Sequence, residues 1–462
     1  MTISKALIKD FKALLGEGSV LSEESDLLSY AYDSAVLPPK TPSLVVAPDS
    51  SELLGKAVKT AYEAGLPITV RGSGTNLSGA VIPEPGDSLV ILTSKLNRIL
   101  EINQADLYTV VEPGVVTLNL ANAVLEKGLF YPPDPGSQQV STLGGNVALN
   151  AGGLRGLKYG VTKDYLMGME FFDYRGELIK CGSRTVKCVS GYNLSGLMLA
   201  SEGTLGVFSK LILKLLPPPA AARAMLAIYD GVDRASEAVA AIIAAHILPS
   251  TLEFLDKKCV EVVEDYSKIG LPLTAGAILL LEVDGPYQEQ VEHDSVRIKE
   301  ICQRTGAREV RMAKDESEKN RLWEARRNTL PALARVKPST VLEDATVPRS
   351  QVPKMVSEIV RLSKKYKLEV GTFGHAGDGN LHPTILCDRR DKEEFSRVEA
   401  MVDEIFQVAL SLGGTLSGEH GIGIAKAKWM EKETNRATIE FSKRIREALD
   451  PKLLFNASKK IV

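Results

Sequence analysis

Residues 71–79 read RGSGTNLSG and directly follow LPITV (66–70), a short apolar run that predicts a β-strand. Glycines let a backbone approach a ligand closely and adopt positive φ, and successive N–H groups in such a loop form a concave anion site suited to a pyrophosphate. The spacing is neither GxGxxG opening a helix nor GxxxxGK[ST], which argues against a Rossmann site or a P-loop. Taken alone, the loop indicates no more than a turn that could hold an anion.

A strand–helix–strand unit surrounds this loop in the sequence. PSLVVAPDS (42–50) predicts a strand, and SELLGKAVKTAYEAG (51–65) predicts a helix with Ser50 or Ser51 as its N-cap and Gly65 just past its end. Such a unit normally places its two strands parallel. Upstream, residues 1–39 predict helical structure that begins with a docked surface helix.

The rest of the first half alternates short strands with glycine-rich loops up to residue 216. Three consecutive prolines in LLPPPAAA (215–222) cannot continue a helix or a central strand, so they predict a domain boundary near 217. Beyond it, strands alternate with amphipathic helices, which predicts an α+β layer with helices on one face of a sheet.

Length and composition limit the possible classes of protein. The 462 residues suggest roughly three domains. Lys plus Arg (56) nearly balances Asp plus Glu (58), which argues against a nucleic-acid binder with a basic surface. No apolar run is long enough to span a bilayer and the first residues do not form a signal peptide, so we expect a cytoplasmic protein. No two of the five cysteines form a CxxC pair, which argues against an iron–sulfur cluster: Cys181, Cys188, Cys259, Cys302 and Cys387.

Three of the five histidines lie in two glycine-rich segments that we predict to be loops, GHAGDGNLH (374–382) and SGEHGIG (417–423). His375, His382 and Glu419 supply two imidazoles and one carboxylate, a set that suits Zn²⁺, Fe²⁺ or Mn²⁺ with positions left open for a substrate. Asp378 is either a hydrogen-bond partner of a ligand histidine or a turn residue.

Seven motifs in order resemble the FAD-binding domain of the vanillyl-alcohol oxidase / p-cresol methylhydroxylase (PCMH) superfamily. They are RGSGTNLSG, EPGV (112–115), YPPDPGS (131–137), STLGGN (141–146), NAGG (150–153), KYG (158–160) and SEGTLGV (201–207). The resemblance implies an α+β protein: a two-subdomain PCMH-type FAD-binding domain (1–217), an α+β, ferredoxin-like substrate domain (218–412), and a helical C-terminal segment (413–462) that packs back and completes the active site. It also implies these FAD contacts: Gly72, Ser73, Gly74, Thr75, Asn76, Ser78, Gly79, Pro135, Thr142, Gly145, Asn146, Gly152, Gly153, Glu202, Gly206, Val207 and Asn456.

The sequence departs from those members of the superfamily that attach FAD covalently. That attachment uses a histidine in the first loop or a cysteine in the second, whereas every histidine here lies at residue 246 or later and neither loop contains cysteine. We therefore expect non-covalent FAD.

The second half resembles the C-terminal domain of FAD-linked oxidases that act on 2-hydroxy acids, the type that includes D-lactate dehydrogenases and the FAD subunit of glycolate oxidase. GHAGDGNLH, GEHG and the closing LDPKLLFN (449–456) carry this resemblance. It implies that His375, His382 and Glu419 hold the metal, that His420 acts as base, and that Arg326 in LWEARR (322–327) binds the substrate carboxylate. Other cations compete for the last role, and VLED (341–344) lacks a second cationic anchor: the competitors are Arg327, Arg335, Lys337 and Arg349.

These features lead to one hypothesis about the reaction. A short D-2-hydroxy acid, D-lactate or glycolate, is oxidised to the 2-oxo acid by metal-assisted hydride transfer to flavin N5. His420 removes the hydroxyl proton, and Asn380 orients a ligand or the substrate. Electrons then leave to an external acceptor, which could be an electron-transfer flavoprotein, an iron–sulfur subunit, quinone or O₂; the family resemblance favours a protein partner over O₂.

Three alternatives remain open. The first is a dehydrogenase of a larger acid such as D-2-hydroxyglutarate. The second is a non-catalytic flavin subunit that relays electrons, although a relay needs no metal ligands. The third is a metal-dependent hydrolase whose glycine loops bind a nucleotide.

Overall fold

The structure is a computed structural model that describes residues 3–84 and 86–461. The chain forms two compact units. Unit 1 combines residues 1–152, 161–218 and 419–462, and unit 2 combines residues 153–160 and 219–418. The chain passes from unit 2 into unit 1 at the peptide bond between Gly418 and Glu419. The domain limits 1–217, 218–412 and 413–462 stay a prediction.

A mostly parallel sheet forms the first part of unit 1. Its strands, numbered along the whole chain, are β1 (Val20–Leu21), β2 (Leu44–Val46), β3 (Ile68–Arg71) and β4 (Leu89–Leu92), in the spatial order β1-β2-β4-β3. β2 and β3 both run parallel to β4, while β1 is antiparallel to β2. The apolar faces of α1 (Lys5–Leu15) and α3 (Ser51–Glu63) pack with this sheet in one core.

The strand–helix–strand unit predicted around residues 42–71 is present. The side chain of Ser50 accepts a hydrogen bond from Leu53 N and caps α3, as predicted, and such a cap contributes about 1 kcal/mol. The two strands are parallel but not adjacent, because β4 lies between them.

The helical prediction for residues 1–39 is wrong beyond α1. The helix ends at Leu15, where Gly16 adopts a positive φ of 84°, and only the short helix α2 (Glu24–Leu27) and single 3₁₀ turns follow. Glycines at positions 16 and 18 disfavour continuation of the helix. Residues 1 and 2 of this prediction lie outside the described residues.

An antiparallel sheet forms the second part of unit 1. Its strands are β5 (Ile99–Asn103), β6 (Tyr108–Val111), β7 (Leu166–Phe172), β8 (Leu178–Gly182) and β9 (Val207–Lys214), in the order β5-β6-β9-β7-β8. Residues of α4 (Thr117–Leu125), α5 (Leu143–Leu149) and α7 (Leu194–Met198) share its core. Helices α15 (Met430–Glu433) and α16 (Arg436–Leu449) come late in the chain.

Unit 2 is built on one large antiparallel sheet. Its strands are β10 (Ala221–Tyr229), β11 (Thr251–Asp256), β12 (Ala277–Gly285), β13 (Glu309–Met312), β14 (Ser339–Leu342), β15 (Ala345–Thr346), β16 (Glu369–His375) and β17 (Asn380–Cys387). The order is β13-β10-β12-β11-β16-β17-β14, with β15 also paired to β17. The first four strands and their two crossover helices form the β-α-β-β-α-β arrangement of a ferredoxin-like fold, so the predicted mixed α+β class is confirmed.

Helices cover both faces of this sheet, so the prediction of helices on one face is wrong. β10 has apolar residues on both sides, with Met225 and Ala227 in one core and Leu226 and Ile228 in the other. A continuous apolar run of this kind is typical of a strand buried on both faces. One face carries α8 (Val232–Ala244), α10 (Gln288–Arg304), α13 (Val352–Tyr366) and α14 (Lys392–Ser411). The other carries α9 (Lys257–Ser267), α11 (Glu316–Arg327) and α12 (Thr329–Leu333), and the short α6 (Gly156–Tyr159) adds Leu157 to the first core.

Among the described residues, no helix is both long enough and apolar enough to cross a membrane.

Candidate active site

The two histidines of GHAGDGNLH lie on the two strands of an antiparallel hairpin, not in a loop as the sequence suggested. His375 ends β16, His382 is the third residue of β17, and the turn between them contains Asp378. The register pairs His375 with Asn380 and Phe373 with His382, which brings these side chains to the same face of the sheet. Both imidazoles are buried, and their rings are perpendicular with centroids 5.3 Å apart. Their ligand nitrogens lie within 4.8 Å of each other, close enough to share one metal ion.

A buried carboxylate that sequence reasoning missed lies beside this pair. Glu253 is on β11, the strand next to β16, and the observed pairing of Phe254 with Gly374 places it opposite His375. Glu253 Oε1 is 2.7 Å from His375 Nδ1, and its side chain is fully buried. Burial alone would raise the pKa of Glu253, but His375 and Arg326 outweigh burial and lower that pKa to about 2. The only sequence signal was a glutamate in the middle of the apolar strand LEFLD.

Arg326, the predicted carboxylate-binding residue, lies near the end of α11 and is held from two sides. Its Nε donates a hydrogen bond of 2.5 Å to Glu253 Oε2, and its guanidinium lies 4.6 Å from the centre of the Phe373 ring. The side chain is only 11% exposed, although its helix is rich in charged residues. Two of its competitors are engaged elsewhere in unit 2: Lys337 pairs with Glu394, and Arg335 stacks on Tyr266.

The last residues of unit 2 lead towards the same hairpin. Ser417 Oγ donates a hydrogen bond of 2.7 Å to Asp344 Oδ2, and Asp344 Oδ1 is 4.0 Å from His382 Nδ1. Gly418 lies so close to β15 and β17 that a Cβ added there would clash with Thr346 Oγ1 of β15 and would be 2.9 Å from Asn380 Nδ2 of β17. In the sequence, VLED (341–344) indicated only that a second cationic anchor is absent. It did not indicate that Asp344 contacts Ser417 and lies near His382.

Within unit 1, Glu419 and His420 lie against two of the glycine-rich loops. A Cβ added at Gly152 would be 2.6 Å from Glu419 Oε2, so the glycine leaves room for this carboxylate. Asn76 Nδ2 donates a hydrogen bond of 3.0 Å to the carbonyl of His420, while Asn76 Oδ1 accepts from Ser78 N and Ala80 N within its own loop. Gly152 and Asn76 were predicted as FAD contacts. In the structure, Gly152 lies against Glu419 and Asn76 bonds to His420.

Glu202 holds the segment that follows His420. Its carboxylate accepts hydrogen bonds from Ile422 N at 2.9 Å and Gly423 N at 2.7 Å, and Lys460 Nζ is 3.1 Å from Glu202 Oε1. Asn456 Nδ2 donates to the carbonyl of Glu202 at 2.5 Å. Both Glu202 and Asn456 were predicted to contact FAD, and contact of these two residues with FAD stays a prediction.

A cavity in unit 1 is bordered by the glycine-rich loops. Four predicted FAD residues, drawn from all three loops, line it: Gly72, Gly145, Glu202 and Gly206. Gly144 and Gly203 line it as well, and apolar side chains such as Val70, Leu149 and Phe208 form most of the rest of the wall. Glycine backbone allows close approach of phosphates and a ribityl chain, and apolar side chains suit a flavin ring, so the residues fit FAD.

The first two loops are joined by direct contacts. Ser73 Oγ donates a hydrogen bond to the carbonyl of Val140. A Cβ added at Gly72 would be 2.3 Å from Thr142 Oγ1, so only glycine allows this approach. Thr142 caps α5 through Gly145 N.

The remaining predicted FAD residues have varied positions. Asn146 Nδ2 donates to Thr117 Oγ1 at 2.8 Å, Pro135 is buried, and Val207 begins β9 in the core. Gly74 and Gly79 adopt positive φ within the first loop. Gly153 belongs to unit 2. FAD contact by these residues, and by Thr75 and Ser78, stays a prediction.

Comparison with known families identifies the class. The model of the FAD linked oxidases, C-terminal domain, matches residues 218–460, which is more than half of the chain, and the model of the FAD binding domain matches residues 42–182. The chain belongs to the FAD-linked oxidases and is an FAD-linked oxidoreductase. The predicted family is confirmed.

Individual relatives narrow the class. The chain is 48% identical to glycolate oxidase subunit GlcD of Bacillus subtilis (strain 168), over 94% of this chain and 92% of that protein. It is 38% identical to glycolate oxidase subunit GlcD of Escherichia coli (strain K12), over 96% and 88%, and 31% identical to D-lactate dehydrogenase of Anaerostipes hadrus, over 99% and 97%.

Solved structures share the fold. Substrate-bound p-cresol methylhydroxylase matches with a TM-score of 0.80 at 17% identity, over 98% of this chain and 95% of that one. Alkyldihydroxyacetonephosphate synthase matches with a TM-score of 0.79 at 17% identity, over 98% and 84%.

Proposed function

We propose that this protein is an FAD-dependent dehydrogenase that oxidises D-lactate or glycolate to the 2-oxo acid and passes the electrons to an external acceptor. One observation carries the proposal: in unit 2, the single carboxylate of Glu253 joins a buried imidazole of the metal-ligand type, His375, to the guanidinium of Arg326. A metal ligand and a carboxylate-binding group held together suit a substrate that carries a hydroxyl next to a carboxylate. Relatives named as glycolate oxidase subunits and as a D-lactate dehydrogenase support the same substrate class.

His375, His382 and Glu419 form the proposed metal-ligand set. Two neutral imidazoles and one carboxylate fit a borderline divalent cation, Zn²⁺ or Fe²⁺, with Mn²⁺ also compatible. The ligand nitrogens of the two histidines lie within 4.8 Å of each other. Glu419 follows Gly418 in the chain, and Gly418 packs against Asn380 of the same hairpin. These facts support the assignment of Glu419.

FAD is proposed to bind non-covalently in the cavity of unit 1. The cavity is lined by glycines of the glycine-rich loops and by apolar side chains, and these loops contain no histidine or cysteine that could attach the flavin.

The proposed chemistry follows from Arg326, His420 and the two groups that the site residues fit, FAD and a divalent cation. When bound, FAD supplies a hydride acceptor and the divalent cation supplies Lewis acidity towards the 2-hydroxyl. Arg326 binds the substrate carboxylate through its N–H donors and so selects which face of C2 is presented. His420 takes the proton of the 2-hydroxyl, since an imidazole has a pKa near the working pH. Loss of that proton and of the hydride on C2 leaves the carbonyl of the 2-oxo acid.

The electron acceptor is proposed to be a protein, either an electron-transfer flavoprotein or an iron–sulfur subunit. The chain has no CxxC pair to hold a cluster of its own, and two relatives are named as subunits of a larger oxidase. Cytoplasmic residence stays a prediction.

Anaerobic titration of the purified FAD-loaded protein with a panel of D- and L-2-hydroxy acids tests this function. We expect glycolate or D-lactate to bleach the visible absorbance of the flavin, and L-lactate to leave it unchanged. Bleaching by D-2-hydroxyglutarate alone would replace the short acid with a larger one. A flavin that no 2-hydroxy acid reduces would contradict the proposal and favour an electron relay.

A further inference from the structure

Glu253 is a carboxylate in an otherwise apolar part of unit 2. Its neighbours on β11, Leu252, Phe254 and Leu255, all belong to apolar cores. A buried carboxylate is costly unless it is paired and hydrogen-bonded, so its partners must account for its presence. Glu253 has two such partners, and each uses a different oxygen: His375 Nδ1 at Oε1 and Arg326 Nε at Oε2.

The bond to His375 determines which imidazole nitrogen carries hydrogen. Arg326 Nε donates to the other oxygen of Glu253, and a guanidinium keeps its charge in proteins, so Glu253 pairs with it as a carboxylate, which can only accept hydrogen bonds. His375 Nδ1 must therefore be the donor, and the lone pair of the neutral imidazole lies on Nε2. This tautomer suits a metal ligand that binds through Nε2 and whose other nitrogen bonds to a carboxylate.

The bond to Arg326 fixes the orientation of the guanidinium. Glu253 holds Nε, and the ring of Phe373, two residues before His375 on β16, supports the planar group at 4.6 Å. The bond to Nε uses only one of the five N–H donors of the side chain. The same strand pair therefore sets the position of both the imidazole and the guanidinium.

We propose that Glu253 is a positioning residue that fixes the tautomer of His375 for metal binding and, with its other oxygen, the orientation of Arg326 for the substrate carboxylate. This inference rests on the proposed function and adds a residue to it. It requires that loss of the carboxylate weaken two separable properties, the affinity for the metal and the KM for the acid, whereas a purely structural role would lower only stability.

The test compares Glu253→Gln with a matched control, Glu282→Gln. Glu282 lies on the neighbouring strand β12 and bonds to Trp323 Nε1 at 2.9 Å, so it also joins the sheet to α11, but without bonding His375 or Arg326. Each FAD-loaded variant is freed of metal with a chelator. Its dissociation constant for Zn²⁺ is then measured by competition with a coloured chelator, and the KM and kcat for D-lactate follow on the reconstituted protein.

For Glu253→Gln we expect the dissociation constant for Zn²⁺ to rise about 10- to 100-fold, since loss of the hydrogen-bond partner of a ligand histidine has effects of that size. We also expect the KM to rise by about 10-fold or more, with FAD content unchanged. Glu282→Gln should change both constants less than about 2-fold. If Glu253→Gln does not fold, Glu253→Asp takes its place, because it keeps the charge but shortens the side chain by one methylene and should shift both constants in the same directions.

Three outcomes would overturn the inference: wild-type values of either constant in the Glu253 variant that folds, equal shifts in the Glu282 control, or failure of both Glu253 variants to fold, which would assign the residue a structural role. A wild-type protein that neither binds Zn²⁺ nor is bleached by the acid would instead contradict the proposed function. A wild-type protein that does both, with silent Glu253 variants, would contradict this inference alone.

Discussion

At the scale of single residues, Glu202 connects three parts of unit 1. It lines the cavity proposed for FAD, accepts hydrogen bonds from the backbone that follows His420, and pairs with Lys460 near the end of the chain. Its backbone has a positive φ of 54°, a conformation that is uncommon outside glycine and persists only where the surroundings enforce it. Glu202 and Asn76 together hold the backbone around His420, so the imidazole extends from a fixed segment.

His420→Ala is expected to slow reduction of the flavin by a 2-hydroxy acid about 10²- to 10⁴-fold, the usual contribution of a general base. FAD and metal should both be retained, because Asn76 bonds to the carbonyl of residue 420 and alanine keeps that carbonyl. Stopped-flow flavin absorbance gives the rate, and elemental analysis gives the metal content. The control is His293→Ala, which removes a histidine that is 68% exposed on α10.

A native rate in His420→Ala would exclude His420 as the base. Loss of metal from that variant would place His420 among the ligands instead.

Sequence motifs could indicate His375, His382, Glu419, His420 and Arg326, because each belongs to a dense local pattern. They could not indicate Glu253, whose partners are 73 and 122 residues away in the sequence. A single glutamate in LEFLD has no motif, and only the register of β11 with β16 shows its role.

At the scale of elements, the C-terminal tail is fastened inside unit 1 by buried charges. Lys459 Nζ is 3.0 Å from Glu84 Oε1, and the two side chains are 0% and 9% exposed. Arg446 of α16 donates hydrogen bonds to several carbonyls of the tail, including those of Phe455 and Lys459. Burial alone would raise the pKa of Glu84, but Lys459 and Ser458 outweigh burial and lower it.

Lys459→Met is expected to lower the free energy of unfolding of unit 1 by about 3–5 kcal/mol, because it leaves the Glu84 carboxylate buried without its cation. Replacing both partners, Glu84→Leu with Lys459→Met, should recover most of that loss. The contribution of Glu84 is full above about pH 4.5, its ordinary pKa, and is lost as the pH falls through the lowered pKa of the folded state. Denaturant unfolding at several pH values measures both effects, and a Lys459→Met variant as stable as wild type would contradict this account.

Local patterns predicted many elements but not how they pair. The cap of α3 is a local feature, and it could be predicted from the sequence. The hairpin of β16 and β17 was missed because its glycines and polar residues looked like a loop, although its register is set by pairing across the turn. The continuous apolar runs in β10 and β12 indicate a sheet that is covered on both faces. The residues that pack on each face lie far away in the sequence, so these runs alone do not show what covers them.

At the scale of the whole molecule, neither unit is one continuous piece of chain. Residues 153–160 belong to unit 2, where Leu157 joins its core and Lys158 pairs with Asp284. This assignment could not be predicted, because Asp284, the partner of Lys158, lies 126 residues further along the chain. The proposed metal ligands are also divided, with the histidines before and Glu419 directly after the peptide bond at which the chain changes unit.

The mode of FAD attachment can be tested on the whole chain. Precipitation of the yellow protein with acid is expected to leave all of the flavin in the supernatant, because the loops of residues 71–79 and 131–153 contain neither histidine nor cysteine. Flavin that remains with the precipitated protein would show a covalent bond to another residue and contradict the proposal of dissociable FAD.

The central claim is that a flavin held by unit 1 and a divalent cation held by His375, His382 and Glu419 act on the same substrate. The most direct measurement is the single-turnover rate of flavin reduction by D-lactate or glycolate before and after a chelator removes the metal from the FAD-loaded protein. We predict that the rate falls at least 100-fold and returns when Zn²⁺ or Mn²⁺ is added to wild type, but not when it is added to His375→Ala. A metal-free protein that reduces its flavin at the original rate would contradict the claim.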